Sequence, residues 1–183
     1  MRIYFLLNRR RPGRYAVRAL AALATSAVFA CSVEAAASVA LTAPVDLRAD
    51  GALAATRGNP LIVLFSLPLC QHCAVVRRNY LAPLTRMPRE ADRFVVRELE
   101  LNGIAPLVGF YGEKTNGSAL AARYGLRVAP VVVMFDREGK LLAPPLIGGD
   151  IAGMYGAYLA GAIDEARAEL ATSASARPID RIP

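Results

Sequence analysis

The stretch "PLIVLFSLPLCQHCAVV", residues 60–76, places a continuous apolar run directly before two cysteines three positions apart. An apolar run of that length, without alternation, reads as a strand buried on both faces. If the strand ends near Ser66 and a helix begins near Cys70, the first cysteine lies at a helix N-terminus. There the unpaired N–H groups and the helix dipole favour a thiolate. Cys73, nearly one turn further on, is more sheltered. Cys70 is therefore expected to be the attacking nucleophile and Cys73 the resolving thiol. His72, the single histidine of the chain, adjoins Cys73. Protonated, it favours the Cys70 thiolate further, which stabilises the reduced form and makes the disulfide a stronger oxidant.

Three chemistries compete for such a pair. Structural zinc wants four Cys or His ligands, and a copper site normally wants a further soft or imidazole ligand. Cys31 falls within the first forty residues, read below as a cleaved signal, which leaves two cysteines and one histidine, so no metal and no cofactor is expected. An inert structural disulfide is chemically possible, although a two-residue spacer at a helix start exposes the bond. The expectation is a redox-active pair. The alternative is a non-catalytic binding or assembly module that carries an inert bond.

With 183 residues the chain suits one ordinary domain, which can bury a core without disulfide staples. Its net charge of +7 invites a nucleic-acid reading, but the location of the charge argues against one. Of 22 Lys and Arg, six arginines lie in the first forty residues beside one acid, Glu34, which leaves 16 basic and 14 acidic residues in the remainder. No nucleic-acid partner is expected.

Those forty residues have the layout of a secretory signal. An arginine-rich start precedes "ALAALATSAVFACSV" (19–33) and the small residues "EAAASVA". The apolar run falls short of the roughly 20 residues that a spanning helix prefers. Cleavage between Ala35 and Ala40 and a mature form without a membrane span are expected. "VFAC", ending at Cys31, resembles a lipoprotein box, but bulky Phe29 fits it poorly. The Ala and Arg richness points to a bacterial periplasm, an oxidising compartment.

The expected organisation is a signal over 1–40, a domain over 41–171 and a flexible tail over 172–183. Within the domain, a helix closes at Gly58 and Pro60. After the cysteine pair a second helix runs on, and Pro83 is expected to kink or end it. "RFVVRELELN" (93–102) reads as a second strand, whereas 104–117 is rich in turn formers and yields no assignment. "SALAARYGLR" reads as a helix capped by Ser118 and stopped by Gly125. "APVVVMFDREGKLLAPPLIGG" reads as a hairpin turning at "DREGK". A last helix is expected from about Asp150 to Leu170, with Ile151, Met154, Tyr155, Tyr158, Leu159, Ala162, Ile163, Ala166 and Leu170 on its apolar face. This order implies an α/β domain with a mixed central sheet covered by helices on both faces.

At this point the chain resembles the thioredoxin superfamily, in particular bacterial exported thioredoxin-like proteins, over about residues 44–170. The resemblance rests on "IVLFSLPLCQHC", on "VAPVVVMF" and on a hairpin followed by a C-terminal helix. It implies a thioredoxin-like fold, a cis Pro130 lying against the cysteine pair, and Ala129 pairing with an extended substrate peptide. It implies catalytic roles for Cys70, Cys73, His72 and Pro130, and substrate contacts at Leu69, Gln71 and Ala129. The partners it implies are periplasmic protein thiols and disulfides together with a redox partner, met by a monomer. Two positions depart from the pattern: Leu69 stands where thioredoxin has a Trp, and Leu64 where it has a buried acid.

Overall fold

In the computed structural model the described residues are 40–87, 90 and 92–175. The expected signal segment, except Ala40, and the end of the expected tail lie outside them, as does Cys31.

The apolar run is the middle of the molecule. Strand β1 (Leu61–Ser66) is buried at every position, because it has a neighbour on each edge and helices on each face. β2 (Val95–Glu100) pairs with it in parallel, Leu61 opposite Val95 and Ser66 opposite Glu100. β5 (Val131–Phe135) pairs on the other edge, antiparallel, with Phe65 opposite Val131. β6 (Leu146–Ile147) adds beyond β5 and completes the order β2-β1-β5-β6. A separate two-stranded piece, β3 (Leu107–Val108) and β4 (Lys114–Thr115), fills the stretch that carried no sequence signal.

Alternation along β1 divides its side chains between two cores. Ile62 and Leu64 join Val96, Val132 and Met134 under the helices α2 (Gln71–Val76), α3 (Ala82–Arg86) and α5 (Tyr155–Ser175). Leu61, Val63 and Phe65 join Val133 and Phe135 under α1 (Leu47–Thr56) and α4 (Gly117–Arg123). Full burial of a side chain such as Phe65 contributes about 2–3 kcal/mol. A mixed sheet held between these two helical layers, with a cysteine pair after its central strand, is a thioredoxin-like fold.

Several boundaries differ from expectation, each for a local reason. Pro83 does not end its helix. The backbone widens ahead of it into a π-type turn over Arg77–Leu81, closed by the bond from the Ala82 N–H to the Arg77 carbonyl. A proline ring clashes with the carbonyl four residues earlier, and the widened turn removes that conflict, so α3 continues with Pro83 in its first turn. The cap of α4 is Asn116 rather than Ser118: its Oδ1 accepts from the Ala119 N–H at 2.8 Å. Gly117 follows because a Cβ there would stand 2.1 Å from the Glu100 carbonyl oxygen.

The last helix starts at Tyr155 and runs to Ser175, beyond the expected end. Its buried face is Tyr155, Leu159, Ala162, Ile163 and Ala166. Ile151 and Met154 are exposed instead, since the chain before Tyr155 is a loop in which Gly148 and Gly153 take positive φ, and Tyr158 is exposed on the helix itself. The expected hairpin is present with a short return limb, which meets β5 through the Leu141 bridge, the Leu142 N–H on the Met134 carbonyl and the Leu146–Ile147 pairing. Its turn is organised by Asp136, whose Oδ1 accepts from the Glu138 and Lys140 N–H groups.

No helix among the described residues is long and apolar enough to cross a membrane.

Candidate active site

Three chain segments meet at one end of the sheet. β1 leaves its last buried residue, Ser66, and turns through Leu67–Leu69 into α2, with the Cys70 N–H donating to the Leu67 carbonyl at 3.4 Å. Beside it, Pro130 opens β5, and its carbonyl accepts from the Gly148 N–H at 2.8 Å. The register of Phe65, Val131 and Ile147 therefore puts Ser66, Pro130 and Gly148 on the next rung. The Ala129–Pro130 peptide is cis.

Cys70 is the N-cap of α2, in extended backbone, and its Sγ accepts from the Cys73 N–H at 3.1 Å. A helix-start amide aimed at this sulfur favours negative charge there when the bond is opened. Cys70 and Cys73 form a disulfide with Cα atoms 5.2 Å apart. The two sulfurs are not equivalent to solvent, since Cys70 is partly exposed and Cys73 fully buried. Leu69, wholly exposed, has φ of 57°, a left-handed conformation that costs a leucine about 1–2 kcal/mol. Gln71 is exposed, Ala129 half-buried and Pro130 buried.

His72 is exposed on the first turn of α2 and packs against the loop after β6. A Cβ at Gly149 would stand 3.0 Å from the His72 Cβ and 3.2 Å from its Nδ1. That loop is anchored by Asp150, which accepts from the Tyr80 hydroxyl and from the Tyr155 N–H at 3.4 Å. The Tyr80 bond holds the Asp150 carboxyl below its ordinary range and raises the Tyr80 phenol. A lowered carboxylate makes its contribution above the ordinary value of 3.8 and loses it as pH falls through the lowered one. Asp150→Asn is accordingly expected to lower the melting temperature at neutral pH, with the difference from wild type shrinking as pH falls below the ordinary carboxylate range. A gap that persists at acid pH would show that the anchor is not the carboxylate.

A groove of about 550 Å³ runs from the cysteine pair toward β2, with Leu67, Leu69, Cys70 and Ala74 among its lining residues. On it lie two residues that the sequence did not single out, Arg77 and Glu98. Arg77 donates from Nε to Glu98 Oε2 at 2.6 Å and from Nη2 to Oε1, a two-bond fork between the helix and β2. The Glu98 bond comes first among the effects that raise the Arg77 guanidinium. Arg77 stands four residues after Cys73, a spacing visible in the sequence. That Glu98 faces it depends on the β1–β2 register, which places Glu98 opposite Leu64.

The structure thus gathers Cys70, Cys73, His72, Pro130 and their flanks Leu69, Gln71 and Ala129 at one sheet end, and adds Arg77, Glu98, Gly149 and Asp150. No protein-family model matches the chain, and no curated protein matches it. Among solved structures it is similar to a thioredoxin-fold protein from Helicobacter pylori, with 15% identity, 65% of this chain and 81% of that chain covered, and a TM-score of 0.45. It is also similar to the C-terminal domain of Neisseria meningitidis DsbD in the oxidised form, with 21% identity, 67% of this chain and 98% of that chain covered, and a TM-score of 0.42.

Proposed function

We propose that the chain is an exported thiol–disulfide oxidoreductase that exchanges disulfides with protein thiols in the periplasm. The observation that carries this reading is the asymmetry of the Cys70–Cys73 bond. Cys70 is partly exposed and its sulfur is held by a helix-start amide, while Cys73 is fully buried. In the oxidising direction a client thiolate attacks Cys70 Sγ, the Cys70–Cys73 bond breaks, and Cys73 leaves and takes a proton. A second client thiolate then attacks the client sulfur of the mixed disulfide and expels Cys70 as thiolate. The client loses two electrons and the protein gains them; the reductive direction is the same path reversed.

The neighbours have roles in this reading. Pro130 lacks an N–H and borders the pair without closing off Cys70. The backbone at Ala129 pairs with an extended client segment, and Leu69 and Gln71 contact it from the other side. His72, when protonated, adds positive charge beside the Cys70 thiolate. Export rests on the signal-like residues 1–40, and the working form is a monomer.

The test is stoichiometric. Oxidised protein mixed with excess reduced dithiol peptide should yield one oxidised peptide per protein, with Cys70 and Cys73 becoming reactive to a thiol reagent. A bond that stays closed would favour the scaffold alternative, a binding module with an inert disulfide.

A further inference from the structure

Among the described residues, β2 sends one arginine–carboxylate fork to each face of the sheet. Arg97 pairs with Asp50 of α1 on the face away from the cysteines, with Nε to Oδ2 at 2.9 Å. Glu98 pairs with Arg77 on the face that carries α2. The second fork shares its groove with Cys70, and its side chains retain only 21% and 14% of their exposure. Charges withdrawn from water act over longer distances than surface charges do. While the fork is closed, the guanidinium and carboxylate present almost no net charge to the groove. Either group alone would present a full unit charge to whatever charge forms on Cys70.

We propose that the Arg77–Glu98 fork sets the redox poise of the Cys70–Cys73 couple, with Glu98 masking a guanidinium that would otherwise drive the couple toward the reduced state. The inference rests on the oxidoreductase reading and adds positioning residues to it; neither side chain takes part in the bond exchange. Reduction of the bond by two glutathione thiols releases glutathione disulfide, leaves one proton on Cys73, sends one to solvent, and leaves Cys70 as thiolate. Of these products only the thiolate is charged on the protein, so a neighbouring unit charge acts on the equilibrium with a definite sign. Two further titratable groups stand beside the pair: Glu100, exposed at the rim of the groove, and His72 on the first turn of α2. Both face water, which screens their charges more than those of the largely buried fork.

The experiment measures the equilibrium constant of the full chain with glutathione in wild type, Glu98→Gln, Arg77→Gln and the double variant. Glu98→Gln unmasks Arg77 and should favour the reduced protein by about threefold to tenfold, the size of a half to one unit of differential charge stabilisation. Arg77→Gln leaves the carboxylate and should shift the constant by a similar factor in the opposite sense. The double variant should return to within about twofold of wild type.

A fork that merely holds the helix would lower the stability of both single variants without opposite movements of the redox constant. Single variants that shift in the same sense, or by less than twofold, would overturn the proposal. Glutamine is isosteric with glutamate and keeps an acceptor for Arg77, so Glu98→Gln decides the matter should Arg77→Gln fail to fold. A wild-type bond that glutathione does not open would defeat the oxidoreductase reading itself. An exchanging wild type with unmoved variants would defeat only the role of the fork.

Discussion

Replacing Cys70 by serine is expected to abolish disulfide exchange, with activity falling by more than about a hundredfold, whereas replacing Cys73 stops the reaction halfway. The asymmetry follows from burial and hydrogen bonding. On the proposed reading Cys70, partly exposed and receiving the Cys73 N–H, is the residue that a client thiolate reaches and the thiolate that the helix start favours. Cys73 is fully buried and acts only on a sulfur already bonded to Cys70. In Cys73→Ser the mixed disulfide therefore has no internal thiol to resolve it and should accumulate as a covalent adduct visible on non-reducing gels. Exchange that survives in Cys70→Ser would remove the nucleophile from the account. Adducts that form through Cys73 instead would invert it.

Leu64→Asp is expected to cost about 3–5 kcal/mol of folding stability, read as a lower denaturant midpoint. Leu64 is completely buried in the middle of β1, so a carboxylate there would enter a core of Ile62, Val76, Leu81 and Val96. A buried charge without a partner has a penalty of this size. The one carboxylate opposite it in the register, Glu98, already occupies the fork of Arg77, and two acids facing one guanidinium repel each other. Wild-type stability in Leu64→Asp would mean that the β1–β2 register or the Arg77–Glu98 fork is not as described. The charged pair on this groove comes from β2 and the helix rather than from β1.

The parts of the molecule legible in the sequence were those coded locally. The unbroken run Leu61–Ser66 announced a strand buried on both faces, and its position before a Cys-x-x-Cys placed Cys70 at a helix start. Turn chemistry at Asp136–Lys140 was equally local. Misreadings arose where a local signal had two solutions. Ile151 and Met154 continue the helical spacing of the last helix, yet glycines at 148 and 153 in the left-handed region hold that segment as a loop. Ser118 and Asn116 are both good caps, and the close approach of Gly117 to the Glu100 carbonyl selects Asn116. The strands at 107–108 and 114–115 are too short to carry any period.

Long-range pairings were the least legible. Nothing in "RFVVRELELN" tells which of its charged residues faces the cysteines; the parallel register with β1 sends Arg97 to Asp50 and Glu98 to Arg77. The contact of Gly149 with His72 likewise depends on the loop after β6 returning across α2. The candidate site was therefore visible in its cysteine pair but not in the charges and loop that surround it.

The most direct test of the account is the reduction potential of the Cys70–Cys73 couple, obtained by equilibrating the protein in graded glutathione buffers and counting free thiols. An exchanging pair with an accessible sulfur at a helix start predicts a potential above about −300 mV, within the range from about −270 to −120 mV spanned by catalytic dithiols. A potential below about −300 mV, with the bond closed throughout the glutathione range, would mark a structural disulfide and contradict the account.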